Sequence, residues 1–233
     1  APGLTGDPFK TVALNLVPAD WIAALPGEML AATHIAFESR GQSPLEPEDL
    51  SRRYFGGNNL IGAIVADGLG AAFTDFKIHD DGFGRLYLED RGMTPRQAGR
   101  TMQRLVEIDA YRMLALLALP VARELTPLLS RAEAELANIA GAMVEAKGDD
   151  EAALLGRLTR LEAEIESRHA ENFNRFSAAS AYYDLVRRRI DELRETRVEG
   201  LQTFREFTER RLAPAMNTCV AVSARQRALS SRV

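Results

Sequence analysis

Between Pro127 and Pro214 the chain contains no proline, and through most of that length apolar residues recur in steps of three and four. Leu154, Leu158, Leu161 and Ile165 open the series, and Phe173, Phe176, Ala179, Tyr183, Val186, Ile190 and Leu193 continue it, with His169 in an apolar slot between them. This spacing draws one stripe along one face of an α-helix. Gly148-Asp149-Asp150 offers a helix stop followed by a fresh N-cap. A single helix is predicted over 151–199, about 75 Å long at 1.5 Å per residue. A compact domain of this chain length is only about 45 Å across. The helix is therefore expected to protrude and to pair with the one before it as an antiparallel hairpin or stalk.

The preceding helix has a sharp start. Thr94-Pro95-Arg96-Gln97 combines an N-cap hydroxyl, proline at the first helical position and glutamine at N3. The helix is predicted to run to about Leu119, where Pro120 either kinks or ends it, and Pro127 repeats the problem. Helical spacing resumes through Leu125, Leu128, Leu129, Ala132, Leu136, Ile139 and Met143. Gly200 and Pro214 are expected bends before a last helical segment. That segment reaches Val233 without a stop signal, and Ala1 is not a methionine, so the chain reads as a fragment.

Residues 1–93 are written differently. They hold 12 of the 17 glycines and 6 of the 10 prolines, the density of short elements joined by loops. Thr11–Val17, Thr33–Glu38 and Leu60–Val65 read as strands, and Phe73–His79 alternates as a fourth. Asp80-Asp81-Gly82-Phe83-Gly84 then supplies a turn, with Arg85–Glu89 returning as the partner strand. Short helices are predicted at Ala19–Leu25 and Pro47–Tyr54. The expected fold class is α+β: a small, mostly antiparallel sheet unit over 1–93, then a long-helix hairpin region over 94–233.

Composition narrows the function classes. Apolar residues make up 46% and charged residues 27%, as in a soluble folded protein. Cys219 is the single cysteine, which excludes a disulfide scaffold. The longest nearly unbroken apolar run, Met113–Ala122, is too short to span a bilayer. A net charge of −4 argues against a dedicated nucleic-acid partner. Residues 1–93 carry 7 bases and 13 acids, whereas 187–233 carry 11 arginines and 6 acids. The basic end reads as a solvated helix face, with approach to anionic lipid as the sharper alternative.

The best polar cluster is Asp75, His79, Asp80 and Asp81, whose carboxylates and imidazole are the candidate ligands of a divalent cation such as Mg2+. The turn alone accounts for Asp80 and Asp81. Gly56-Gly57-Asn58-Asn59 and Asp67-Gly68-Leu69-Gly70 lack the residues of a phosphate-binding loop and read as turns. Glu107, Asp109 and Arg112 interrupt an apolar helix, where Asp109 and Arg112 can pair or reach the strand layer. Tyr182 and Tyr183 read as helix packing. No catalytic motif appears, so an enzyme is not expected, and no resident cofactor is assigned.

Four segments carry a resemblance: Val17–Trp21, Asp90–Gly99, Glu107–Pro120 and Glu209–Met216. Together they resemble a family of uncharacterised bacterial membrane-anchored proteins defined by a domain of unknown function. The resemblance implies further sequence on both sides, with hydrophobic membrane segments downstream, and it brings no catalytic residues. A looser architectural similarity is to the cytosolic part of magnesium/cobalt channels, although their Gly-Met-Asn signature is absent here. These likenesses imply the cytoplasmic portion of a bacterial inner-membrane protein, held to the membrane by segments outside this chain. It would act as an assembly or interaction scaffold, a homo-oligomer that self-associates through the apolar stripe of the long helices, or alternatively as a divalent-cation-sensing domain.

Overall fold

At Thr94 the backbone and side chains form the reciprocal cap that the Thr-Pro-Arg-Gln pattern predicts. Gln97 N–H donates to Thr94 Oγ1 at 3.3 Å, and Thr94 N–H donates to Gln97 Oε1 at 3.0 Å. The computed structural model describes residues 7–39 and 46–232. In chain order the elements are a 3-10 turn at Ala13–Leu16, α1 (Ala19–Ala23), β1 (Thr33–Ser39), α2 (Pro47–Tyr54), β2 (Ile61–Val65), β3 (Gly70–Thr74) and β4 (Gly84–Asp90). Then follow α3 (Pro95–Leu116), α4 (Ala118–Glu145), α5 (Asp149–Leu193), β5 (Thr196–Arg197), α6 (Phe204–Arg211) and α7 (Ala213–Ser230). The fold class is α+β, a five-stranded mixed sheet with long helices. The chain forms two compact units, one of residues 1–113 with 184–210, the other of 114–183 with 211–233.

In the sheet unit the strand order is β1-β4-β3-β2-β5. β1 runs parallel to β4, and every other neighbouring pair is antiparallel. One face packs Ala36, Ala71, Phe73 and Tyr87 against Leu50 and Tyr54 of α2, together with Phe9, Phe55 and Leu60. The rings of Tyr54 and Tyr87 stack at 5.7 Å, and Phe9 meets Tyr54 edge-on at 5.9 Å. α3 approaches the other face, where Leu86 and Leu88 are buried. β2 and β3 are therefore buried on both faces and their sequences alternate little, whereas β4 sets Leu86 and Leu88 on one face and Arg85, Tyr87 and Glu89 on the other.

Two expected strands are corrected. Thr11–Val17 contains a 3-10 turn with no buried residue, because a β-rich run becomes a strand only where a neighbour offers a ladder and cover. The strand expected over Phe73–His79 is shifted: β3 ends at Thr74, and Phe76 has φ +49°. Thr74 Oγ1 accepts from Phe76 N–H at 3.2 Å and Asp75 Oδ1 from Lys77 N–H at 3.2 Å, so side chains take the donors that a ladder would use.

The helix break near Pro120 falls at Leu117, and Pro120 lies in the first turn of α4, where its missing N–H is harmless. Pro127 is inside α4. α5 has 45 residues, about 68 Å at 1.5 Å per residue, and stops at Leu193, short of the expected 199. Arg194 takes φ +51°, and the chain turns back into β5.

In the helical unit α4 and the first part of α5 form the antiparallel hairpin. Arg157 pairs with Glu135 at 2.6 Å, and Leu128 and Leu161 line one groove. α7 packs on α4, with Arg225 bidentate on Glu133 at 2.6 Å to each carboxylate oxygen. The stripe residues Leu154, Leu161, Ile165, Phe176 and Ala179 are buried, whereas Phe173 is half exposed beside His169. Among the described residues no helix is long and apolar enough to cross a membrane.

Candidate functional site

The polar residues singled out in the sequence are sorted by the sheet unit into separate groups. Asp75 follows β3 directly and its side chain is fully buried. Its Oδ2 accepts from Asn58 Nδ2 at 2.8 Å and lies 3.0 Å from His79 Nε2. Asn58 is delivered by the turn after α2, where Gly56 and Gly57 both have positive φ and Gly57 N–H donates to Ser51 O at 2.9 Å. Lys77 Nζ closes the group by donating to Asn58 Oδ1 at 2.6 Å. Asp75 thus fastens two loops together.

Asp81 belongs to a second group. Its Oδ1 accepts from Phe83 N–H at 3.0 Å, and Gly82 N–H donates to His79 O at 2.8 Å, which closes the turn expected at this place. Asp81 Oδ2 stands 3.7 Å from His34 Nε2 and 3.9 Å from Arg85. His34 stacks on Phe83 at 4.2 Å. Burial pushes the His34 pKa down; Asp81 opposes this and Arg85 adds to it. Asp80 is exposed. The structure thus brings Asp75 to His79 and Asp81 to His34. Among the described residues, no three His, Cys, Asp or Glu side chains are gathered as a metal ion would need.

A third group was only half visible in the sequence. Asp109 of α3 accepts from the Thr33 hydroxyl at 2.6 Å through Oδ2 and from Arg112 at 2.7 Å through Oδ1. Both readings of Asp109 hold: it pairs with Arg112 one turn on, and it reaches the strand layer. The Arg112 guanidinium lies 4.6 Å from the centre of the Phe76 ring, which also stacks on Phe207 at 4.6 Å. No sequence pattern announces Phe76, because its role depends on a backbone turned to positive φ. Above this group opens a cavity of about 80 Å³ with Met29, Leu30, Ile78 and Val106 in its wall. Each of these four is at least 40% exposed.

The same unit also exposes apolar side chains on β1, where Ile35 and Phe37 project from one face at 37% and 42% exposure. The arginines of the C-terminal part are largely engaged. Arg189 pairs with Glu107 and Glu192, Arg205 with Asp191, Arg197 with Glu206 and Arg194 with Asp67. What the site offers chemically is apolar contact surface above polar groups already tied to one another.

The model of a family described as a protein of unknown function (DUF3422) matches residues 1–233. No curated protein and no solved structure matches the chain.

Proposed function

Since the chain belongs to the DUF3422 family, which is of unknown function, we propose from its geometry that it is an interaction and assembly module. The observation that carries this reading is the apolar margin of the sheet, where Ile35 and Phe37 on β1 are each more than a third exposed. Met29 and Leu30, just before β1, are also exposed, at 67% and 47%. Clustered apolar exposure of this kind marks a surface that a partner covers.

In this proposal the sheet unit binds, and the helical unit joins it to the remainder of a membrane-anchored bacterial protein on the cytoplasmic side. The anchor would be supplied by segments outside this chain. Resemblance to membrane-anchored proteins supports that part, and the long helices fit a connecting role. Light scattering on the chain tests the core of the reading. Particles heavier than the 25.7 kDa single chain are expected, and a strict monomer at high concentration would overturn self-assembly.

A further inference from the structure

We propose that two copies of this chain join through β1, antiparallel and centred on Ala36, so that two five-stranded sheets become one sheet of ten strands. The inference deepens the assembly reading and rests on it. It begins from the contrast between the two margins of the sheet. β5 is two residues long and ends in Arg197, so it offers little ladder to a newcomer. β1 has seven residues, and its neighbour in the sheet is β4 on one side. Natural sheets protect their margins with short strands, lysines, prolines or bulges. β5 is protected by its shortness, whereas Thr33–Ser39 contains no lysine, arginine or proline.

A strand that pairs with its own copy about a two-fold axis must be self-complementary. β1 meets that condition best in the register that pairs all seven of its residues. Reversed about Ala36, Ile35 lies opposite Phe37 of the second copy and Phe37 opposite its Ile35, which makes two apolar pairs on the face where both are exposed. Thr33 lies opposite Ser39, hydroxyl to hydroxyl. On the other face His34 comes opposite Glu38, an imidazole beside a carboxylate, and Ala36 meets itself. Centring one residue earlier would set Phe37 against Thr33, and one residue later Ile35 against Ser39. The sequence of β1 thus suits a second copy of itself, and it favours the register centred on Ala36.

The test uses the whole chain. Sedimentation velocity across a concentration series is expected to show a monomer–dimer equilibrium, and Phe37→Lys is expected to raise the dissociation constant at least tenfold. Unchanged circular dichroism and a cooperative melt would show that the variant folds. The register is read separately. Mixing Ile35→Cys with Phe37→Cys under mild oxidation is expected to give a disulfide-linked dimer that neither variant gives alone. Directly opposite residues bring their Cβ atoms to about 5 Å, whereas diagonal ones lie roughly 7–8 Å apart. A monomer at every concentration overturns both this pairing and the assembly reading. A dimer that survives Phe37→Lys and yields no mixed cross-link overturns the pairing alone.

Discussion

The hydroxyl of Thr33 and the carboxylate of Asp109, 76 residues apart in sequence, meet at 2.6 Å. Thr33 is the first residue of β1 and Asp109 lies in α3, so one hydrogen bond ties the marginal strand to the helix over its face. Gly84 makes room for it, since a Cβ there would come within 3.3 Å of Thr33 Oγ1 and 3.7 Å of Asp109 Oδ2.

Thr33→Val keeps the shape and removes the donor. Hydrogen bonds to charged groups contribute about 1.5–3 kcal/mol, so a loss of stability in that range is expected. Urea unfolding followed by circular dichroism measures it. A change below about 0.5 kcal/mol would mean that Asp109 is satisfied without Thr33.

Gly62→Ala should be costly for a different reason. An added Cβ would stand 2.5 Å from Phe73 Cδ1 and 3.0 Å from Leu201 Cδ1. Phe73 is buried in the core cluster beneath α2, which leaves its ring little room to retreat. Overpacking of this kind costs about 1–3 kcal/mol. A lowered Tm in calorimetry is the expected result, with Gly99→Ala on α3 as a control, because a Cβ at Gly99 meets nothing within 4 Å.

Acid should weaken the chain through two ion pairs. The hydrogen bond from Arg225 holds the Glu133 carboxyl below its ordinary range, with burial opposing. Burial pushes the Glu107 carboxyl up, but the bonds from Gln103 and Arg189 more than reverse this and leave it lowered. A carboxyl whose folded pKa lies below its unfolded value adds stability that is present above the unfolded pKa and lost as pH falls through the folded one. Tm is therefore expected to fall as pH drops from about 5 toward 3. In Glu107→Gln and Glu133→Gln the slope over that window should be shallower.

Cys219 is buried in the helical unit, and burial pushes its thiol pKa up, away from the reactive thiolate. A thiol reagent at pH 8 is expected to label the native chain slowly and the urea-unfolded chain at once. Rapid, complete labelling of the native chain would contradict the packing of α7.

Local signals proved legible where a residue's role is fixed by its near neighbours. The cap at Thr94, the helix Pro47–Tyr54 and the stop at Gly148 are all of this kind. The failures share the opposite property. Phe73–His79 alternates like a strand, yet Thr74 and Asp75 capture the next backbone donors and Phe76 turns to positive φ. β5 is two residues that become a strand only because β2 lies beside them. Glu195 accepts from the N–H groups of Phe204 and Arg205 at 2.9 Å each, a cap for α6 delivered from nine and ten residues upstream. Of the site, the Asp109–Arg112 pair could be read from helical spacing, but its junction with Thr33 and Phe76 depends on distant segments. The polar cluster Asp75, His79, Asp80 and Asp81 is contiguous in sequence, whereas in the fold Asp75 meets His79 and Asn58, and Asp81 faces His34 and Arg85.

The sheet unit is assembled from two stretches of chain, 1–113 and 184–210, with the helical unit's residues 114–183 inserted between them. β2 therefore leaves the ribosome roughly 130 residues ahead of β5, the strand that covers its outer margin. At about 5–20 residues per second this is a wait of roughly 7–26 s. During that interval the outer edge of β2 lacks its strand, and Glu107 of α3 lacks Arg189. The outer margin of β2 is therefore exposed to wrong pairing while the chain is being made.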